Sequence, residues 1–392
     1  MEKLFDNTEI ALALKSNSEL ERALFLFEMI KREPLVKIGA AVTKFALKVH
    51  LPVEGLVRST VFDHFCGGVT EDDCLAVINK MYAKNVRSVL DYSVEAKEEE
   101  EQFDTAMQKI LKTLEYAREN NGIPFIVFKP TGFGRFDIYW KLSEGKKLTA
   151  GEQIEWNKIT NRYDQVCGKA YEYNVPILID AEESWMQDAA DELAESMMVK
   201  YNRETTIVFN TLQLYRHDRI DYLKQLHQRA TEGGFHIGMK LVRGAYLEKE
   251  RERAVRMGYQ DPICLDKNKT DTLFNEALSY MTENLGNMSI FLGTHNEVST
   301  YLLLQLMQKH KLAKNDNRIW FGQLFGMSDH ISYNLANLGY NVAKYLPYGP
   351  VKDVMPYLLR RAEENTSVAG QTSRELFLIK KELKRRKLLK LD

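Results

Sequence analysis

Eight short apolar runs rich in β-branched residues recur along the chain, and this repetition limits its possible folds more than any other feature. The runs cover residues 86–90, 124–128, 175–179, 206–209, 237–242, 288–292, 319–324 and 342–346. Amphipathic helical stretches lie between them, for example at residues 103–120, 220–232 and 270–284. Strands that alternate with helices predict a parallel sheet, and eight such units over roughly 270 residues are typical of an α/β fold of the (βα)8 TIM-barrel type.

A doubly wound parallel sheet is the alternative fold for this pattern. Such a sheet would normally carry a glycine-rich phosphate loop after an early strand, and neither G-x-G-x-x-G nor G-x-x-x-x-G-K-[ST] occurs where one is needed. The barrel is therefore the predicted fold. Residues 131–153, which include four glycines, are expected to form a long loop between the second strand and its helix. Long loops of this kind are often functional.

Helical segments flank the predicted barrel of residues 86–370. Residues 1–85 have apolar side chains at three- and four-residue intervals, which predicts an N-terminal helical arm. Residues 371–392 predict a basic amphipathic helix. This helix is expected to cap the barrel, and attraction to anionic headgroups at a membrane surface is the alternative.

The composition excludes several classes of function. The net charge is −1, so binding to nucleic acid is not expected. The four cysteines lack metal-binding or redox spacing and are expected to be buried thiols, and the eight histidines form no H-E-x-x-H sequence, so no metal site is expected. No apolar run approaches the ~20 residues that cross a bilayer, and residues 1–19 lack a targeting pattern. The expected location is the cytoplasm, either free or peripheral to the inner membrane.

Polar residues stand at the C-terminal ends of the predicted strands, where a barrel builds its active site. They are Asp91 and Glu95; Lys129; Asp180, Glu182 and Glu183; Gln213; Lys240 and Arg243; Thr294, His295 and Asn296; Gln323; and Tyr345. Any one of them could be an ordinary surface or capping residue. Because the ends of parallel strands converge on one mouth, the whole set predicts that a polar ligand binds there.

A predicted helix beyond the eighth strand presents four side chains on one face. They are Tyr357, Arg360, Arg361 and Glu364, whose spacing of i, i+3, i+4 and i+7 brings them together on a helix. The helix is expected to begin near Pro356. Two adjacent guanidinium groups suit bidentate capture of a carboxylate. The alternative is a solvated face in which Arg360 pairs with Glu364, worth only ~0.3–0.5 kcal/mol. The position of this helix just after the last strand favours carboxylate capture at the barrel mouth.

Seven motifs together resemble the proline dehydrogenase family, in the family's order. They are Phe128-Lys-Pro130, Leu178-Ile-Asp-Ala-Glu-Glu183, Lys240-Leu-Val-Arg-Gly-Ala-Tyr246, Gly293-Thr-His-Asn296, Gln323-Leu-Phe-Gly-Met327, Tyr345-Leu-Pro-Tyr-Gly349 and Tyr357-Leu-Leu-Arg-Arg-Ala-Glu-Glu-Asn365. Several motifs at the family's spacing are more specific than any one of them. The third motif is similar to that of the monofunctional, eukaryotic-type branch.

The resemblance implies an FAD-dependent barrel that oxidises L-proline to 1-pyrroline-5-carboxylate, the first step of proline catabolism. Hydride passes to FAD in this reaction, and the electrons then pass to a quinone-type acceptor. The implied substrate contacts are Lys129, Arg360 and Arg361, which hold the carboxylate, and Tyr345 and Tyr357, which pack against the ring. Asp180 and Lys240 join Lys129 and Tyr345 as implied catalytic residues.

The resemblance also implies a set of FAD contacts and a gate. The implied contacts are Ala181, Gln213, Lys240, Arg243, Gly244, Ala245, Tyr246, Thr294, His295, Asn296, Gln323 and Glu364. Glu95 would pair with an arginine as part of a gate. Many bacterial members have arginine at the position of Lys240, so the positive charge near the flavin is expected to persist while the hydrogen bonding changes. Lys240 or Arg243 is the expected cation that favours the reduced flavin.

Four alternatives remain open from the sequence. One is oxidation of hydroxyproline or another imino acid on the same barrel, which Tyr345 makes less favourable because members that prefer hydroxyproline tend to carry a smaller residue there. The second is a Schiff-base lyase that uses Lys129. The others are a barrel that binds an anion without catalysis and a related flavin barrel that reduces folates.

Overall fold

Eight parallel strands form a closed barrel in the computed structural model of the protein, which describes residues 4–31, 55, 58–92, 99–355, 357–358 and 371–388. The strands follow one another around the barrel in chain order: β1 Val86–Tyr92, β2 Phe125–Phe128, β3 Ile177–Ile179, β4 Val208–Gln213, β5 Ile237–Val242, β6 Met288–Gly293, β7 Ile319–Leu324 and β8 Val342–Tyr348. The prediction of a (βα)8 barrel and of each of its eight strands is confirmed.

Helices connect the strands and extend the chain before β1 and after β8. The α-helices are Thr8–Ala11, Asn17–Ile30, Asp63–Phe65, Glu71–Tyr82, Glu100–Glu119, Phe136–Ser143, Ala150–Tyr173, Ser184–Tyr201, Arg219–Gly233, Leu247–Met257, Lys267–Glu283, Glu297–Lys309, Asp329–Asn337 and Gln371–Leu388. The remaining helical segments are the 3-10 turns Leu4–Asp6 and Pro130–Gly132 and the π-helical segment Arg58–Phe62. Residues 351–355 and 357–358 are also helical.

One expectation about the loops was wrong in detail. Residues 131–153 are not a loop throughout, because they include the helix Phe136–Ser143, whose Ile138 and Tyr139 are fully buried. Residues 351–355 are helical, and most of the helix expected to begin near Pro356 lies outside the described residues, so that start stays a prediction. In the helix Phe136–Ser143, buried apolar side chains stabilise a helix where the glycines suggested a loop.

The chain comprises two compact units. The first unit consists of Met1–Glu95 together with Gln323–Asp392, and the second unit is Ala96–Gly322. In the first unit, Leu20 and Phe27 of the arm helix Asn17–Ile30 are buried in one cluster with Ile379 of the helix Gln371–Leu388. The apolar face of the C-terminal helix is thus buried against the N-terminal arm. The domain boundaries at residues 85 and 370 stay a prediction.

In the second unit, aromatic rings fill the interior of the barrel. The ring of Phe125, at the start of β2, lies edge-on to Phe209, Phe291 and Trp320 at centroid distances of 5.5, 5.2 and 5.1 Å. Space for this cluster requires Gly322, since a Cβ atom there would lie 2.1 Å from the Phe291 ring. These rings pack together on β2, β4, β6 and β7, and a barrel of this type builds its active site beyond the C-terminal ends of the strands.

Three further observations concern the described residues. All four cysteines are free and buried, which confirms that expectation. No group of three or more His, Cys, Asp or Glu side chains in the described ranges is arranged to hold a metal ion. Within the same ranges, no helix combines the length and apolar character that a bilayer span requires.

Candidate active site

Three charged side chains meet at the mouth of the barrel. Lys129 follows β2, Asp180 follows β3, and Lys240 lies on β5. The ammonium group of Lys129 donates to Oδ2 of Asp180 at 2.7 Å, and the ammonium group of Lys240 donates to Oδ1. Burial would raise the pKa of Asp180, but the two ammonium groups outweigh it and lower this pKa to about 2. The three groups together carry one net positive charge, a sign that suits a small anion.

A second carboxyl group lies two residues further along the chain and has a different environment. Glu182 is 6% exposed, and its Oε2 and Oε1 atoms accept hydrogen bonds from the backbone nitrogen and the hydroxyl of Thr131 at 2.9 and 2.7 Å. Burial raises the pKa of Glu182 to about 7, and the two bonds from Thr131 oppose that rise. Asp180 is therefore ionised at neutral pH, whereas Glu182 titrates close to neutral pH.

The side-chain amide of Gln213, at the end of β4, is buried with one atom unused. Its Nε2 atom donates to the backbone oxygen of Glu182 at 3.0 Å. Its Oε1 atom is buried and has no hydrogen-bond partner in the part of the chain that the structure describes. A buried acceptor without a donor costs about 1–3 kcal/mol. The atom is therefore suited to accept a hydrogen bond from a bound ligand.

The guanidinium group of Arg243, just after β5, is held by three neighbours. Its Nε atom donates to Asp271 at 2.7 Å, Nη1 to the Thr294 hydroxyl at 2.8 Å and Nη2 to the Ser299 hydroxyl at 3.1 Å. The aromatic ring of Phe274 lies 4.3 Å from its Cζ atom. Burial lowers the pKa of this guanidinium, against the effect of Asp271, but arginine still remains charged. The result is a cation of fixed position beside Thr294.

The motif after β5 places a glycine with positive φ at the surface of the site. Gly244 has φ +130°, and a Cβ atom there would lie 2.4 Å from the ring of Tyr215. Only glycine fits this close approach. Gly244 and Ala245 are exposed and Tyr246 is half-buried, so backbone groups of the motif are accessible to a ligand.

The other predicted contacts of this unit are less clearly directed at a ligand. Ala181 and His295 are half-buried. The side-chain oxygen of Asn296 accepts from the backbone nitrogen of Ser299 at 3.1 Å and so caps the helix Glu297–Lys309. The structure therefore gives Asn296 a structural use.

Three predicted site residues belong to the other unit. Tyr345 lies on β8 and is 8% exposed, and Gln323 lies on β7, where its Oε1 atom accepts from the hydroxyl of Ser332 at 2.8 Å. Tyr357 is buried in a cluster that includes Phe62 and Met327. The remaining predicted residues, namely Glu95, Arg360, Arg361 and Glu364, lie outside the described residues.

Sequence reasoning missed three residues that hold the site together. Thr131 binds Glu182, while Asp271 and Ser299 bind Arg243. Thr131 stands two residues after Lys129 and could have been found as part of the same strand end. Asp271 and Ser299 lie on helices, and nothing in their spacing indicated Arg243 as their partner.

A cavity of about 340 Å³ lies in the first unit, and none of the described residues that line it is a predicted site residue. Its charged groups are largely paired, with Lys15 3.4 Å from Asp329 and Lys80 3.7 Å from Glu19. Burial lowers the pKa of His64, which also lines the cavity, to about 3. The cavity is therefore a weaker candidate for catalysis than the Lys129 cluster.

Comparisons with known proteins point to one family. The family model for proline dehydrogenase matches residues 74–374. The carbapenem antibiotics biosynthesis protein CarD of Pectobacterium carotovorum subsp. carotovorum is 36% identical over 333 residues, which covers 85% of this chain and 86% of that protein. Mitochondrial proline dehydrogenase 1 of Arabidopsis thaliana is 32% identical over 416 residues, which covers 94% of this chain and 83% of that protein.

A solved structure supports the fold. Proline utilization A (PutA) from Bdellovibrio bacteriovorus, inactivated by N-propargylglycine, matches with a TM-score of 0.71 at 20% identity. The match covers 93% of this chain and 37% of that chain, so this protein spans little more than a third of the PutA polypeptide. The family model matches well over half of the chain, and the Arabidopsis relative exceeds 30% identity across most of its own length. The chain therefore belongs to the proline dehydrogenase family.

Proposed function

We propose that the protein oxidises L-proline to 1-pyrroline-5-carboxylate, with FAD as the bound oxidant. The observation that carries the proposal is the cluster of Lys129, Asp180 and Lys240, whose net positive charge at the barrel mouth suits a small carboxylate. Family membership confirms the prediction of a flavin-dependent oxidoreductase that acts on proline. The proposed pathway is proline catabolism.

The described residues fit a flavin at this mouth. Gln213 offers a buried acceptor without a donor, which matches the imide N–H group of an isoalloxazine ring. Arg243 offers a fixed cation beside Thr294, and exposed Gly244 leaves room for close approach. Bound FAD would supply the hydride acceptor. The other contacts predicted from the resemblance, including Glu364, stay predictions.

The chain's own residues would bind and orient the substrate. Lys129 would hold the carboxylate of proline, and Asp180 would keep the Lys129 ammonium group in place. Lys240 adds a second positive charge beside Asp180. This charge would stabilise the reduced cofactor, which is more negative than the oxidised one. The amine of the substrate must be unprotonated for hydride to leave the neighbouring carbon. Roles for Arg360, Arg361, Tyr345, Tyr357 and Glu95 stay predictions from the resemblance.

Proline-dependent reduction of a soluble quinone by the purified protein tests this function. Arg360→Ala and Arg361→Ala are expected to raise the proline KM by at least about tenfold, because a charged hydrogen bond is worth about 1.5–3 kcal/mol. Flavin content should stay at the wild-type level. A variant that loses flavin instead would remove Arg360 and Arg361 from the proposed substrate contacts.

The geometry favours this activity over a Schiff-base lyase. A Schiff base needs a free amine on Lys129 or Lys240, and both ammonium groups are in ion pairs with Asp180. Borohydride with a keto acid should therefore trap no covalent adduct. Oxidation of hydroxyproline stays the alternative, and the resemblance makes it less favourable because family members that prefer hydroxyproline tend to carry a smaller residue at the position of Tyr345.

We also propose that the electrons pass to a membrane quinone, with peripheral contact through the helix Gln371–Leu388. Lys380, Lys384 and Lys387 lie on its exposed face at three- and four-residue intervals, together with Phe377, which is 56% exposed. A basic face of this kind is attracted to anionic headgroups. Binding to vesicles that contain anionic lipid should fall when the three lysines are replaced by glutamine. The cytoplasmic location stays a prediction.

A further inference from the structure

Glu182 is a buried carboxyl group beside the lysine cluster, yet its side chain binds neither lysine. The side chains of Asp180 and Glu182 follow β3 two residues apart, and Asp180 takes both ammonium groups. The carboxyl oxygens of Glu182 bind only to Thr131 among the hydrogen bonds of the described residues. The role of Glu182 therefore depends on Thr131, the residue that its carboxyl group binds.

The carboxyl group of Glu182 accepts hydrogen bonds from the turn that follows Lys129. It binds both the backbone nitrogen and the hydroxyl of Thr131. Pro130 alone separates Thr131 from Lys129, and its ring fixes the backbone φ angle between them. The turn is also closed by a bond from the Gly132 nitrogen to the Lys129 oxygen at 2.9 Å. A displacement of Thr131 would therefore be transmitted to the backbone of Lys129.

The main chain of Glu182 reaches in the opposite direction, to β4 and to the next helix. Its carbonyl oxygen accepts from Nε2 of Gln213 at 3.0 Å, and its nitrogen donates to Oε1 of Gln187 at 2.9 Å. Gln187 in turn donates to Asp191 at 2.8 Å. These bonds hold the Gln213 amide with its oxygen free, and they anchor Glu182 to the helix Ser184–Tyr201.

We infer that Glu182 is a positioning residue for substrate binding. Its two hydrogen bonds to Thr131 form a clasp that fixes the position of Lys129, so that the Lys129 ammonium group contacts both Asp180 and the substrate carboxylate. Glu182 itself touches no substrate. The inference rests on the proposed function, because it takes Lys129 as the carboxylate ligand. Support of a contact residue by buried hydrogen bonds is what a site needs to keep its geometry.

Three variants and one control separate this role from a general effect on folding. Glu182→Leu removes both bonds to Thr131, and Thr131→Val removes the hydroxyl bond alone with little change of shape. Glu182→Gln can still accept from the Thr131 nitrogen and donate to its hydroxyl, so it keeps the clasp without the charge. Glu183→Gln is the control, because this neighbouring carboxylate pairs with exposed Lys249 at 3.0 Å.

Binding is measured by titrating the flavin-loaded protein with cyclopentanecarboxylate, which has the ring and the carboxylate of proline but no amine to oxidise. A shift of the flavin absorbance gives the Kd, and the proline KM and kcat are measured beside it. Thr131→Val should raise both Kd and KM by about three- to tenfold, and Glu182→Leu by about tenfold or more, from the loss of one and two buried hydrogen bonds. Flavin content should remain normal. Glu182→Gln and Glu183→Gln should stay within about twofold of wild type, in line with retained hydrogen bonding.

An unchanged Kd in Thr131→Val would overturn the inference, and so would a Glu182→Gln variant as weak as Glu182→Leu, since charge and not the clasp would then matter. If Glu182→Leu does not fold, the other two variants still decide the question. Failure of the proposed function is seen separately, in the wild-type protein, as a flavin that proline does not reduce.

Discussion

The ammonium group of Lys129 donates a hydrogen bond to Oδ2 of Asp180 across 2.7 Å, while Oδ1 of the same carboxylate is taken by Lys240. One carboxylate thus holds two cations at the ends of β2 and β5. Such a cluster is stable only while the carboxylate is ionised, and the lowered pKa of Asp180 keeps it so. The proposed substrate chemistry depends on this arrangement.

Asp180→Asn should both destabilise the protein and impair turnover. The variant leaves two ammonium groups beside an amide that can accept at one atom only, and removal of one partner from a buried pair costs about 3–5 kcal/mol. Proline oxidation should fall by at least about tenfold, which corresponds to about 1.4 kcal/mol. Chemical denaturation and steady-state kinetics give the two values.

Asp164→Asn is the matched control for this prediction. Asp164 also pairs with a lysine, Lys200, at 2.5 Å, but both side chains are more than a third exposed. Exposed pairs are worth about 0–1 kcal/mol, so the control should stay close to wild type. Equal losses in both variants would contradict a special role for the buried cluster.

The Glu182→Gln variant should gain stability relative to wild type as the pH rises. In the unfolded chain the carboxyl group has its ordinary pKa of 4.5, while burial raises the pKa in the folded protein to about 7. Between these values the unfolded chain releases a proton that the folded protein retains, so wild-type stability falls as pH increases. Glutamine has no such loss.

Urea denaturation of both proteins at pH 5 and pH 8 measures the effect. The free energy of unfolding of Glu182→Gln minus that of wild type should be larger at pH 8, by about 2–3 kcal/mol. A difference that does not change with pH would mean that the carboxyl group of Glu182 titrates in its ordinary range.

Replacement of Gln213 by leucine should weaken flavin binding. The change removes the buried Oε1 acceptor and the donor to Glu182, so the flavin Kd should rise by about tenfold or more. Gln187→Leu provides a control, since Gln187 also binds the main chain of Glu182 but has both amide atoms in use within the protein. Both variants should lose stability, and equal flavin affinity in the two would remove Gln213 from the cofactor site.

Tyr345→Ser should relax the preference for proline over hydroxyproline. A smaller residue at this buried position on β8 makes room for a hydroxyl group, and a pocket contact of this size is worth about 1–3 kcal/mol. The ratio of kcat/KM for the two substrates should fall by about tenfold or more. Tyr333→Ser, at another buried tyrosine of the same unit, should leave the ratio unchanged.

The strands and the convergence of Lys129, Asp180 and Lys240 could be predicted from the sequence because parallel strands bring their C-terminal ends together. The end of β4 was harder to place, since the polar residues Asn210 and Gln213 look like a loop. Both are buried in the strand, where Asn210 donates to Asp191 at 2.8 Å and Gln213 to Glu182. Partners so distant in sequence leave no local signal.

The hydrogen-bond partners of the predicted site residues also could not be predicted from the sequence. Asp271 and Ser299 reach Arg243 from two different helices, and helical spacing does not state which neighbour a side chain meets. Glu182 was recognised as a polar strand-end residue, but its clasp on Thr131 depends on the exact fit of two adjacent strand ends.

The absorbance spectrum of the purified protein, before and after anaerobic addition of L-proline, is the most direct test of the central claim. The account predicts a yellow protein with the visible bands of an oxidised flavin, and it predicts that proline bleaches them. A protein that stays colourless after incubation with FAD, or whose flavin bands persist in excess proline, would contradict it.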